Sequence, residues 1–206
     1  MIKTIIFDNN GVLSDSSWTG GVDGMIKYLG VKEEDFVPVW EEGAIKVDKG
    51  EVSTQDFLKL CIDRLGCPDK DIERLRDEYH KGYMPREDVR GFAKKLKKDF
   101  ELVLLTNFGE DFKYFNKKWK MEEIFDKDKI FISADLRMVK PEEDIYFHTL
   151  EKIGRKPEEV VFIDDKQENI DTAERIGMHP ILFKNLKQVE KDLESILQYD
   201  YVRNRS

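Results

Sequence analysis

Three short apolar runs break off abruptly into polar residues: IIF (5–7) into Asp8, LVLL (102–105) into Thr106-Asn107, and VVFI (160–163) into Asp164-Asp165. Runs of this length without polar alternation read as strands buried on both faces. KIFISADL (129–136) and HPILF (179–183) read as further strands. Helical patterns separate them: REDVRGFAKKLKKD (86–99), EDFKYFNKKWKMEEIF (110–125), KPEEDIYFHTLEKIG (140–154) with Pro141 in its first turn, ENIDTAERIGM (168–178) and LKQVEKDLESIL (186–197). Strands that alternate with helices predict an α/β fold, a doubly wound parallel sheet covered on both faces. Ligands of such sheets bind at the carboxyl ends of the strands. Here those ends carry the chemically capable side chains.

Residues 16–88 follow a different rhythm, with no strand pattern. STQDFLKLCIDRLG opens on a Ser53…Asp56 capping signature, places Phe57, Leu58, Cys61, Ile62 and Leu65 on one helical face and stops at Gly66. DKDIERLRDEYHKGY turns Ile72, Leu75 and Tyr79 inward, and DGMIKYLG and EEDFVPVWEEGAIKV supply shorter helices around Pro38. The expected organisation is a core formed by 1–15 and 89–206 with a helical module, 16–88, inserted into it. The tail QYDYVRNRS is expected to be loosely held.

A chain of 206 residues suits one core domain with a modest insertion. Its 43 acidic residues outnumber 35 basic ones, which argues against a nucleic-acid partner. No apolar run reaches the ~20 residues that span a bilayer, and the N-terminus has no basic region followed by a long apolar segment. Cys61 and Cys67 have no metal-ligand spacing and read as free thiols of a reducing, cytoplasmic setting. His80, His148 and His179 are scattered and read as structural.

If Asp8, Asp164 and Asp165 meet at one rim, three carboxylates repel unless a cation sits among them. All-oxygen ligands suit Mg²⁺. Thr106 adds a hydroxyl, Asn107 an amide and a backbone N–H, and Lys140 a cation. Together these make a seat for a phosphate dianion, and a carboxylate that attacks phosphorus gives an aspartyl-phosphate for water to break down.

The order FDNNGVL, LVLLTN, MVKPEEDIY, VVFIDDKQENIDTAERIGM resembles the four motifs of the haloacid dehalogenase superfamily, over nearly the whole chain. The run LLTN, MVKPE, VVFIDD is especially similar to the phosphatase domain of soluble epoxide hydrolases and to bacterial sugar-phosphate phosphatases. The resemblance implies a Rossmann-like core with a helical-bundle cap. It also implies Asp8 as nucleophile and Mg²⁺ ligand, with the backbone carbonyl of Asn10 as a second ligand. Asp165 would be a third, and Asp164 would support or share that role. Thr106 and Asn107 would hold phosphate oxygens, Lys140 would pair with phosphate and Asp8, and Gly11 would let the backbone bend close to the ligand. The implied partner is a small phosphorylated metabolite.

The sequence departs from the family at Asn10, where its phosphatases place a second aspartate that protonates the leaving oxygen and then activates water. An amide keeps the backbone ligand but transfers no proton, and loss of general acid–base catalysis costs ~10²–10⁴ in rate. Several readings stay open: an unusual phosphatase with its proton supplied elsewhere, a weakened phosphate- or partner-binding protein, an aspartate exchanged for asparagine to trap a complex, and a 2-haloacid dehalogenase. The acidic pair Asp164-Asp165 speaks against the last, since expelling halide needs no Mg²⁺. Trp18, Trp40 and Glu41 are candidate substrate contacts from the insertion. Hinges are expected at 14–20 and 84–91.

Overall fold

The structure, a computed structural model, describes residues 1–16 and 18–203, with side chains at 1–15 and 21–201. Five strands form one parallel sheet: β1 (Thr4–Phe7), β4 (Glu101–Thr106), β5 (Ile130–Ile132), β6 (Val160–Asp164) and β7 (His179–Leu182), in the order β5-β4-β1-β6-β7. Central β1 pairs with β4 on one side and β6 on the other, with Phe7 level with both Leu104 and Ile163. Its side chains alternate between two cores. Ile5 and Phe7 join Leu104, Ile163, Phe112 and Leu193 on one face, and Ile6 joins Val103, Phe162, Tyr146 and Ile170 on the other. Burial on both faces explains why these strands are apolar throughout. Helices α5 (Glu87–Leu96), α6 (Phe112–Lys118) and α10 (Leu186–Arg203) bury residues in the first core, and α8 (Glu143–Ile153) and α9 (Gln167–Arg175) in the second.

Between β1 and α5 come α1 (Trp18–Leu29), α2 (Glu33–Asp48), α3 (Thr54–Arg64) and α4 (Ile72–Lys81). They surround a third core built on Met25, Phe36, Trp40, Phe57, Leu75 and Tyr79. The capping signature folds as expected, with the Asp56 N–H donating to Ser53 Oγ at 3.0 Å. Helix α3 ends before Gly66, whose φ of +67° suits a residue without Cβ.

Several elements differ from the sequence reading. Helix α2 runs continuously through Pro38. The ring forgoes one backbone bond near the helix start, and the buried stripe of Phe36, Val39, Trp40, Gly43 and Val47 holds the rest together. The segment 129–136 is strand only to Ile132, after which Ser133–Leu136 forms the short helix α7. Pro141 precedes α8, which starts at Glu143, instead of lying in its first turn. A two-stranded antiparallel ladder, β2 (Ser14–Ser16) with β3 (Tyr83–Pro85), carries the chain into and out of the helical module. Three-residue strands are too short to leave a periodic signal. Gly91 lies inside α5, away from this crossing. Helix α10 reaches Arg203, so the expected loose tail is helical through that residue. The Asp200 carboxylate accepts the Ile2 N–H at 2.7 Å and pairs with the terminal ammonium at 3.3 Å. Among the described residues no helix is long and apolar enough to cross a membrane.

Candidate active site

The sheet register sets Asp8, one residue beyond Phe7, beside Asp164, one residue beyond Ile163, and the Asp8 N–H donates to the Ile163 carbonyl at 2.9 Å. Lys140 Nζ lies between the two carboxylates, 2.7 Å from Asp8 Oδ1 and 2.6 Å from Asp164 Oδ2. All three side chains are buried. Burial pushes the Asp8 carboxyl up to about 7; Lys140 opposes this and the charges of Asp164 and Asp165 reinforce it. Burial also works against the Lys140 ammonium, but Asp8 and Asp164 outweigh it and its pKa rises. The other Asp164 oxygen accepts from the Lys166 N–H and from Asn169 Nδ2, both at 2.9 Å. Asp164 is therefore fully engaged in orienting its neighbours, whereas Asp165 is exposed.

Gly11 explains the closeness of this rim. Its φ is +86°, and a Cβ there would lie 2.1 Å from Asp165 Oδ2. Only a residue without a side chain leaves that carboxylate its place. Asp8, Asp164 and Asp165 each offer an oxygen within 4.8 Å of the others. Against these three carboxylates stands one ammonium, bonded to two of them, a deficit of positive charge that fits a divalent cation with oxygen ligands. Asn10 curls over this loop, with its side-chain oxygen accepting from Asn9 Nδ2 at 2.9 Å.

Thr106 and Asn107 end neighbouring β4. The Thr106 hydroxyl is buried and, among the described residues, has no hydrogen-bond partner, an unmet donor at the same end of the sheet. Both polar atoms of the Asn107 side chain are taken up by the backbone of Lys140: its oxygen accepts the Lys140 N–H at 2.9 Å and its nitrogen donates to the Lys140 carbonyl at 2.8 Å. The amide thus fixes the lysine's segment.

Above the rim lies a cavity of about 370 Å³. Asn10, Asn107, Asp165 and Lys166 form its floor; Met25, Trp40, Phe57 and Tyr79 are prominent in its wall, together with Asp48. Trp40 both lines the cavity and packs in the third core, against Phe57 and Tyr79 at ring separations of 5.1 and 5.6 Å. Glu41 is exposed and lies outside the lining, because it falls one position round α2 from Trp40. The side chain of Trp18 lies outside the described residues. His80 Nε2 donates to Asp111 Oδ2 at 2.6 Å, and its ring stacks on Tyr114 at 4.4 Å, joining α4 to the segment that opens α6. Arg76 bonds the same carboxylate.

Two residues escaped the sequence reading. Asn169, in the first turn of α9, points back to Asp164; its place five residues beyond that aspartate, at a helix start, was an available signal. Asp48 had none, since only the docking of the end of α2 against α7 brings it to the cavity.

A parallel α/β sheet with an acid-rich rim, a buried lysine and an inserted helical wall defines a class of hydrolases acting at strand ends. The model of the haloacid dehalogenase-like hydrolase family matches residues 2–177, and the chain belongs to that family. A sesquiterpene phosphatase of Aspergillus oryzae, astK, is 26% identical over 178 residues, covering 85% of this chain and 87% of its own. A D-ribitol-5-phosphate phosphatase of Bacteroides thetaiotaomicron is 25% identical over 211 residues, covering 96% and 99%. Among solved structures, a haloacid dehalogenase-family enzyme of Bacteroides thetaiotaomicron in complex with magnesium and inorganic phosphate superposes with a TM-score of 0.78, at 22% identity over 89% of this chain and 95% of that one, a likeness of fold.

Proposed function

We propose that this hydrolase is a Mg²⁺-dependent phosphomonoester phosphatase that carries the phosphoryl group on Asp8. The observation that supports it most is the buried Lys140 ammonium between Asp8 and Asp164, beside an exposed Asp165 and the unmet Thr106 hydroxyl. Asp8, Asp165 and the Asn10 backbone carbonyl would hold Mg²⁺, oriented by Asp164, and when bound the ion supplies positive charge against the phosphate oxygens. Thr106 Oγ1 and the Asn107 N–H donate to phosphate oxygens. Lys140 neutralises charge that develops on the transferring group. Asp8 attacks phosphorus, the ester oxygen leaves, and water later cleaves the aspartyl-phosphate.

Residues 16–88 act in this reading as a cap that admits and selects the ester. The aromatic and aliphatic wall suits a small phosphomonoester with an apolar organic part, as a sesquiterpene phosphate would be, better than a polyol phosphate. A second reading, phosphate binding with little turnover, is favoured by Asn10. The purified protein should release inorganic phosphate with Mg²⁺ from a panel of aryl, isoprenyl and sugar phosphates and lose that activity to a chelator. Phosphate binding without release from any ester would support the second reading, and halide release from a 2-haloacid would replace both.

A further inference from the structure

We propose that Asp48, at the end of α2, is the catalytic acid and base that position 10 lacks, so that proton transfer comes from the helical insertion instead of the nucleophile loop. This rests on the phosphatase reading of the rim. Asn10 and Asp48 line the same cavity. The other acidic residue in that lining, Asp165, belongs to the cluster that fits a cation. Among the described residues nothing hydrogen-bonds to the Asp48 carboxylate, although the side chain is half-buried. A carboxylate kept in a largely apolar wall without a hydrogen-bond partner costs stability, and this one opens onto the cavity.

Its position is fixed through its backbone. Ser133 Oγ donates to the Asp48 carbonyl at 2.6 Å and accepts the Phe108 N–H at 2.9 Å, which ties the end of α2 to the loop after Thr106-Asn107. Next to it Lys49 pairs with Glu142 at 2.8 Å, two residues beyond Lys140. Gly50, at φ +65°, lies so close to Ala134 that a Cβ would be 2.4 Å from its carbonyl oxygen. The turn Asp48–Gly50 is thus seated on the same loops that present Thr106, Asn107 and Lys140.

The electrostatic setting suits the role. Burial pushes the Asp48 carboxyl up to about 6, against the opposing charges of Lys166 and Lys140. The phenols of Tyr79 and Tyr83 face it too, and burial holds both well above their ordinary range, so they stay neutral. A carboxyl in this range exchanges its proton readily near neutral pH.

The steps balance. Asp8 forms a bond to phosphorus as the bond from phosphorus to the ester oxygen breaks, and the Asp48 proton moves to that oxygen, giving the alcohol and an Asp48 carboxylate. That carboxylate then takes a proton from water as the water oxygen bonds to phosphorus and the bond to Asp8 breaks. Inorganic phosphate leaves with Asp8 ionised and Asp48 protonated again.

The test is first-turnover kinetics of the full chain with Mg²⁺, using nitrophenyl phosphate and an alkyl phosphate, in wild type, Asp48→Asn, Asp48→Ala and Asn10→Asp/Asp48→Asn. A nitrophenolate departs without a proton and an alkoxide does not. Both single variants should therefore lower the alkyl first turnover by ~10²–10⁴ and leave the aryl first turnover nearly intact. After that first turnover, phospho-Asp8 should accumulate. The double variant should recover the alkyl rate, which a packing role would not do. Equal losses on both esters, an unchanged alkyl rate, or no recovery with Asn10→Asp would overturn the assignment while leaving the phosphatase reading intact. Wild type that forms no phospho-Asp8 from either ester would overturn the reading beneath it as well.

Discussion

The floor and the wall enclose the same cavity but are built on opposite plans. In the rim that carries the floor, the buried charged groups are committed. Lys140 bridges Asp8 and Asp164, Asp164 also takes the Lys166 N–H and Asn169, and the Asn107 amide closes on the Lys140 backbone. On the wall, aromatic and aliphatic side chains from four helices contribute area and few directed bonds, with Asp48 as an unspent carboxylate. The contrast teaches a division of labour. Charge stabilisation requires groups already aimed before the reaction begins, whereas selection among esters requires only a surface of the right shape and polarity.

The floor should break first and hardest. Asp8→Asn keeps the side-chain shape, so the fold should survive by circular dichroism while phosphate release falls below about 10⁻⁴ of wild type, because an amide is a poor nucleophile. Retained turnover would remove Asp8 from that role. Lys140→Ala should cost ~10²–10³ in kcat through the lost charge on the transferring group, measured at saturating Mg²⁺ and substrate. A KM effect alone would make Lys140 a binding residue.

The join between wall and floor should show intermediate effects, in stability. Asp111 lies under the Arg76 and His80 contacts from α4, and its side chain is 1% exposed. Burial opposes its charge, yet the bonds from His80 and Arg76 prevail and hold its pKa below the ordinary carboxylate value. Asp111→Ala should lower unfolding stability by about 1.5–3 kcal/mol. The sign with pH follows from that depression. The contribution is complete above the unfolded value, about 3.9, and fades as pH falls through the lower folded value. The gap between wild type and variant in urea should therefore close in acid; a gap that widens there would contradict the pairing. The smallest effect belongs to the wall's outer surface. Glu41→Gln should leave KM unchanged and stability within about 0.5 kcal/mol, and a shift in KM would return Glu41 to the substrate path.

What the sequence made legible divides along the same line. The strands and the rim residues Asp8, Thr106, Asp164 and Asp165 were readable because a buried parallel strand must be apolar and stops abruptly at its polar end, whereas Lys140, between two helices, was reached through the family motif. The helical nature of 16–88 was readable from periodicity, and Ser53 from its capping pattern. Pro38 misled, because burial of the Phe36–Trp40 stripe outweighs one missing backbone bond. The β2–β3 ladder was invisible at three residues a strand. The tasks of Asn107 and Asp48 depend on contacts with Lys140 and Ser133 far along the chain, which no local pattern encodes.

Ser16 and Tyr83 face each other across that ladder, so the chain departs from the sheet and returns to it side by side. For the entropy of the chain, everything between them is a single loop clamped at its base. Closing such a loop grows dearer only with the logarithm of its length, about 0.6 kcal/mol for each doubling. The clamp therefore works as a socket: segments of different length and shape can be fitted there with little penalty to the sheet below. Descent with modification can exchange the wall of a protein of this design while the rim stays untouched. The exception is a lineage that has moved its proton donor into the exchanged part, which would bind its cap to its core for good.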